Sequence, residues 1–194
     1  ENPVNSNWCH MNFSCTFPEP AWPDAGTGNI NKDPVLADPA KGDLRLQSNS
    51  PCINAGRNSY VTNTATMDLD RLPRIVGATV DIGAYEFQAP ASSLSYAWLQ
   101  QYGLPRDGSA DYADVDGDGM NNWQEWRCLT DPTNVLSVLH LLSPLVDGTN
   151  ATVTWESMPG VSYFLERSTT LSSTLTFEPL AFGIPGRAVT TSYT

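Results

Sequence analysis

Residues Asp114 to Glu125 read Asp-Val-Asp-Gly-Asp-Gly-Met-Asn-Asn-Trp-Gln-Glu, and this stretch constrains the chain more than any other. It fits D-x-D-x-D-G-x5-E at every specified position. In a tightly coiled loop, alternate residues turn their carboxylates toward one centre, so Asp114, Asp116 and Asp118 converge. Gly119 permits the sharp turn and the Met120 carbonyl faces the same point. Asn122 acts directly or through water. Glu125 closes the shell with two oxygens from the first turn of a helix. Ca2+ requires such a shell, roughly six to eight hard oxygens at about 2.3–2.6 Å.

The charge distribution agrees. Seven of the 21 acidic residues (Asp107, Asp111, Asp114, Asp116, Asp118, Glu125 and Asp131) fall in this short region, opposed there only by Arg106 and Arg127. Such crowding repels itself unless a cation sits inside it.

The chain has 194 residues, enough for one large domain or two to three small ones. Its net charge of −11 argues against nucleic acid and anionic membrane as partners. Only 16% of residues are charged, while 15 Pro and 14 Gly mark a turn-rich, mainly β protein. No run of about 18 apolar residues occurs, so no membrane span is expected. The first residue is Glu1 and no signal peptide is visible, which reads as a processed product or an excerpt of something longer. Four cysteines (Cys9, Cys15, Cys52 and Cys128) are an even count that suits an oxidising compartment, and three pairings are open. There is no C-x-x-C pair to suggest zinc or redox chemistry.

Three segments separate by pattern. Residues 1–88 alternate Asn, Asp, Pro and Gly with short apolar runs such as Pro34-Val35-Leu36, Leu44-Arg45-Leu46 and Val80-Asp81-Ile82. Short strands between turns suit a coiled β architecture. Residues 89–143 open on the linker Ala89-Pro90-Ala91-Ser92-Ser93. A short helix follows, capped by Ser95, with Trp98, Leu99 and Tyr102 on one face and Gly103 at its end. The acidic loop then leads into a second short helix carrying Trp123, Glu125 and Trp126, which Thr130-Asp131-Pro132 stops. Residues 144–194 read as strands. Thr152-Val153-Thr154-Trp155 alternates, Val161 to Glu166 follows the turn dipeptide Pro159-Gly160, and the pair reads as a hairpin of a β-sandwich. About four strands fit where a sandwich has about seven, so the sandwich is incomplete.

The first segment resembles the C-terminal end of secreted bacterial right-handed parallel β-helix proteins. The phrases that carry this are Gly28-Asn29-Ile30 through Asp33-Pro34, Gly42-Asp43-Leu44-Arg45-Leu46 and Ser50-Pro51-Cys52-Ile53-Asn54-Ala55-Gly56. They continue with Asp68-Leu69-Asp70, Pro73-Arg74 and Val80 to Glu86. Asn54 stands where Asp is commoner, and Arg71-Leu72 where Gly usually precedes the Pro. The resemblance implies the end of a solenoid. It also favours a Cys15–Cys52 disulfide, both cysteines lying within that end, with Cys9 and Cys128 pairing across segments or staying free.

The middle segment resembles the single-loop calcium repeats of dockerin and thrombospondin type 3 modules, from Asp107 through Glu125 to Thr130-Asp131-Pro132. No helix runs directly into the loop, as one does in an EF-hand, so Asp107, Asp111 and Asp131 are further candidate ligands for this ion or a second one. The last segment resembles a partial fibronectin type III or immunoglobulin-like module.

Residues for catalysis do not converge. His10 and His140 read as structural or surface histidines, and no G-x-S-x-G, H-E-x-x-H or phosphate loop occurs. Asp68, Asp70, Arg71 and Arg74 read as a turn network with salt bridges. Trp98, Tyr102, Trp123 and Trp126 read as small-core aromatics, and Trp8, Trp22 and Tyr60 as candidates for exposed stacking. The expected function is a calcium-stabilised, non-enzymatic structural or adhesion module, secreted or on the cell surface. Its partners would be the rest of a larger parent chain or neighbouring subunits, which strand complementation would join into filaments or a surface layer. The alternatives are the ancillary C-terminal region of a β-helix polysaccharide lyase or hydrolase, and a carbohydrate-binding module with polysaccharide as partner.

Overall fold

A computed structural model describes residues 11–18, 26–169 and 177–194. The readings placed on Trp8, Cys9, His10 and Trp22 lie outside the described residues. The protein is mainly β, with small antiparallel sheets, two short α-helices and two 3-10 turns among the described residues. No helix among the described residues is long and apolar enough to cross a membrane.

Residues up to Ala113 form one compact unit and those from Asp114 another. The division falls inside the expected middle segment, not at 88/89 and 143/144. Backbone bonding explains the difference. Tyr96 N–H donates to the Ile53 carbonyl at 3.1 Å, which ties the stretch after the linker into the first unit. In the second unit, Leu142 N–H donates to Thr154 and Glu156 N–H to His140, at 2.8 and 2.9 Å, so the residues before 144 already pair with a strand.

The first unit holds strands β1 (Leu36–Asp38) and β2 (Asp43–Leu46), an antiparallel pair, and helix α1 (Tyr96–Gln101). Its core is Ile30, Leu46, Cys52, Ile53, Val80, Leu94, Tyr96, Leu99 and Ala110. Ser95 stands at the N-cap of α1 but its side chain makes no capping bond, and Gly103 follows the last turn at φ 68°.

The named strands of the described residues pair antiparallel, and Cys15–Ile30 is a single parallel bridge outside them. The apolar runs are too short for long ladders, and side chains meet their backbone groups instead. Asp68 accepts from the N–H groups of Asp70, Leu72 and Glu86. Asp81 accepts from Asn54 and Phe87, and Glu86 from Val76 and Asp81. Arg74 pairs with Glu86 at 3.1 Å, and Arg45 clasps Asp70 through two nitrogens at 2.7 and 2.6 Å. These are structural carboxylates, because a buried polar backbone left unpaired is costly.

Asn54 also explains its departure from the commoner Asp. It is buried at φ 52°, a left-handed conformation that Asn tolerates. Its amide donates to the Ser92 carbonyl at 2.9 Å, which a carboxylate cannot do.

The second unit holds helix α2 (Asn122–Cys128) and strands β3 (Leu145–Asp147), β4 (Asn150–Ser157), β5 (Ser162–Arg167), β6 (Glu178–Pro185) and β7 (Val189–Tyr193). They form a three-stranded sheet, β3-β4-β7, and a two-stranded sheet, β5-β6. Trp155 of β4 and Tyr163 of β5 join the sheets edge to face, with ring centroids 5.7 Å apart and both residues buried. The Tyr163 hydroxyl accepts from Met158 N–H at 3.0 Å.

Candidate metal centre

The acidic loop folds on its own side chains. Asp114 accepts from Gly117 N–H at 2.8 Å with one oxygen and from Gly119 N–H at 3.0 Å with the other. Asp116 accepts from Asp118 N–H and Asp118 from Met120 N–H, each through Oδ1. Gly119 takes φ 96°, where a side chain would be strained.

These bonds aim the remaining oxygens. Ligand oxygens of Asp114, Asp116 and Asp118 lie within 4.8 Å of one another, an arrangement able to hold a metal ion. Asp116 Oδ2 and Asp118 Oδ2 are buried without a hydrogen-bond partner.

Helix α2 supplies the fourth carboxylate. Asn121 accepts from Gln124 N–H at 3.0 Å while Gln124 Oε1 accepts from Asn121 N–H at 2.8 Å. This reciprocal cap fixes the first helical turn and sets Glu125 one residue further on. Glu125 is fully buried, and neither of its oxygens accepts a hydrogen bond. Burial, and then the charges of Asp116, Asp118 and Asp114, push its pKa up to about 7, opposed weakly by the Thr130 hydroxyl from outside hydrogen-bonding geometry. Three carboxylates with orphaned buried oxygens, Asp116, Asp118 and Glu125, beside the exposed Asp114 suit a hard cation and no soft one. Asn122, also buried, begins the same helix.

The other expected ligands have different partners. Asp107 accepts from Ser109, and Asp111 accepts from Ser92 Oγ at 2.6 Å and Ser93 N–H at 2.8 Å, all within the first unit. Asp131 accepts from the N–H and hydroxyl of Thr133. The Met120 sulfur accepts from the Leu139 N–H at 3.4 Å, while the ligand expected of this residue is its carbonyl and not its thioether. Proximity in sequence did not separate Asp107, Asp111 and Asp131 from the converging set. The signal missed was Asn121-x-x-Gln124, which marks the helix start.

The expected Cys15–Cys52 bridge is not formed. Both are free thiols, as is Cys128. Cys15 Sγ donates to the Lys32 carbonyl at 3.3 Å and also lies against the buried Cys52. Burial first, then this neighbouring thiol, push Cys52 up to about 12. His140 is half-exposed and meets Glu156 at 3.0 Å.

No family model matches this chain, and no curated protein or solved structure matches it either.

Proposed function

We propose that this chain is a calcium-stabilised, non-enzymatic structural or adhesion module of an extracellular or surface protein. The observation that carries the reading is Glu125: a fully buried carboxylate, unpaired at both oxygens, in the field of three converging aspartates. A buried anion of this kind is costly unless a cation balances it. Asp114, Asp116, Asp118 and Glu125 would hold Ca2+, with the Met120 carbonyl and Asn122 completing the shell. The ion would cross-link the loop to the first turn of α2. The first unit would be the closing end of a parallel β-helix.

Assembly is the second half of the proposal. Strands β3 and β7 are the edges of their sheet, and Val146 and Val189 on them are 75% and 79% exposed. Open, apolar strand edges accept a strand from another chain. Sedimentation in calcium tests this. Calcium-dependent oligomers that substitutions to proline in β7 dissolve support it. A monomer at every concentration counts against assembly and leaves the cation site to its own test.

A further inference from the structure

We propose a second ligand site, in the first unit, for an acidic saccharide. Phe13, Gly56, Arg57, Tyr60, Arg74 and Val80 are among the residues around a cavity of about 260 Å³. That is slightly below the range for drug-sized ligands, roughly 300–1,000 Å³, and suits a single ring. None of the cation-site residues lines it.

The charges around this cleft are matched except for one. Arg74 is bound to Glu86 and to the Gly83 carbonyl. Both oxygens of Asp81 accept backbone N–H groups, from Asn54 and Phe87. Arg57 has no carboxylate partner among the described residues, and its Nε donates to Ser59 Oγ at 3.1 Å. Arg57 is therefore the cation of this cleft that no carboxylate of the described residues neutralises.

Arg57 is also held in position. Its guanidinium lies 5.7 Å from the Phe13 ring centre and 5.9 Å from that of Tyr60. The two rings meet edge to face at 5.8 Å. Aromatic contact and the Nε bond together orient the guanidinium plane, leaving the terminal nitrogens to read a carboxylate as a fork. Tyr60 is 57% exposed, so its ring offers a surface to the apolar C–H face of a sugar. A carboxylate fork beside an exposed aromatic ring selects a uronate-type sugar over a bare anion or a neutral sugar.

The test is titration of the full chain, followed by NMR or calorimetry, with methyl glucuronide, methyl glucoside and acetate. Saturable glucuronide binding is expected, with the glucoside and acetate each weaker by about 10-fold or more. Arg57→Gln and Tyr60→Ala should each weaken it by a similar factor while leaving circular dichroism unchanged, since both side chains are exposed. Binding should persist in EDTA, which separates this site from the cation site. No saturable binding up to roughly 10 mM would overturn the proposal. So would acetate binding as tightly as the glucuronide, or undiminished affinity in both folded variants.

Discussion

Glu125 stands in the field of Asp116: the helix carboxylate and Oδ2 of the loop carboxylate are both buried, and neither has a hydrogen-bond donor. Such a pair is unfavourable as it stands and favourable around a cation. The same residue must therefore have opposite effects in the two states.

Glu125→Gln tests that opposition. Without metal at pH 8, the neutral side chain removes a repelled charge, and the second unit is expected to gain about 1–3 kcal/mol, or roughly 4 °C or more in Tm. In calcium the variant loses two ligand oxygens and its calcium-dependent gain in Tm should largely disappear. Thermal melts in EDTA and in calcium check both signs.

The first unit has its own pH dependence. Burial pushes Asp81 up to about 6 and Glu86 up to about 7, from 3.8 and 4.5. An acid with a raised folded pKa binds more protons folded than unfolded. Its stabilising contribution is complete below the lower values and is lost as pH rises through the upper ones. Unfolding of the first unit in saturating calcium should therefore become easier between about pH 4 and pH 7. Glu86→Gln should flatten that slope whatever it does to absolute stability, and urea titrations at several pH values check it.

Cys52 should resist alkylation. It is fully buried and its thiol is pushed well up, to about 12, so at pH 8 it stays a thiol and not the reactive thiolate. After reduction and removal of the reductant, iodoacetamide should label the half-buried Cys15 well before Cys52. Equal rates by peptide mass spectrometry would contradict the placement of Cys52.

The two sheets of the second unit depend on Trp155 and Tyr163. Trp155→Ala is expected to cost about 3–5 kcal/mol. Tyr163→Phe leaves the Met158 N–H without its acceptor, at about 1–3 kcal/mol. Chemical denaturation followed by fluorescence checks both.

How much was readable in the sequence depended on how local each feature is. The loop from Asp114 to Glu125 was legible because its spacing alone brings the aspartates together. The strands around Trp155 and Tyr163 were legible by alternation and by Pro159-Gly160, but the hairpin expected of them is not formed, because β4 pairs with β3 and β7 and β5 pairs with β6. The turn network of Asp68, Asp70 and Arg74 was legible in kind, but its partners were not. Arg45 reaches Asp70 across 25 residues, and Asn54 reaches Ser92 across 38. No local pattern encodes such distances. The same limit hid the partners of Asp111, Ser92 and Ser93, whereas Asp107 and Asp131 bond two residues on, to Ser109 and Thr133, in local turns that acidity alone did not distinguish from the loop. The parallel coils suggested by the phrases of the first segment are not seen in the described residues, because those phrases specify side-chain-to-backbone bonds as well as strands.

The most direct measurement is thermal unfolding in EDTA, with calcium and, separately, magnesium titrated back. A lower Tm is expected in EDTA, restored by calcium and not by magnesium. The gain should reach about 2.7 kcal/mol when calcium is at about 100 times its Kd. An unchanged melting curve, with Glu125→Gln no different from the parent in either condition, would contradict a cation at Asp114, Asp116, Asp118 and Glu125.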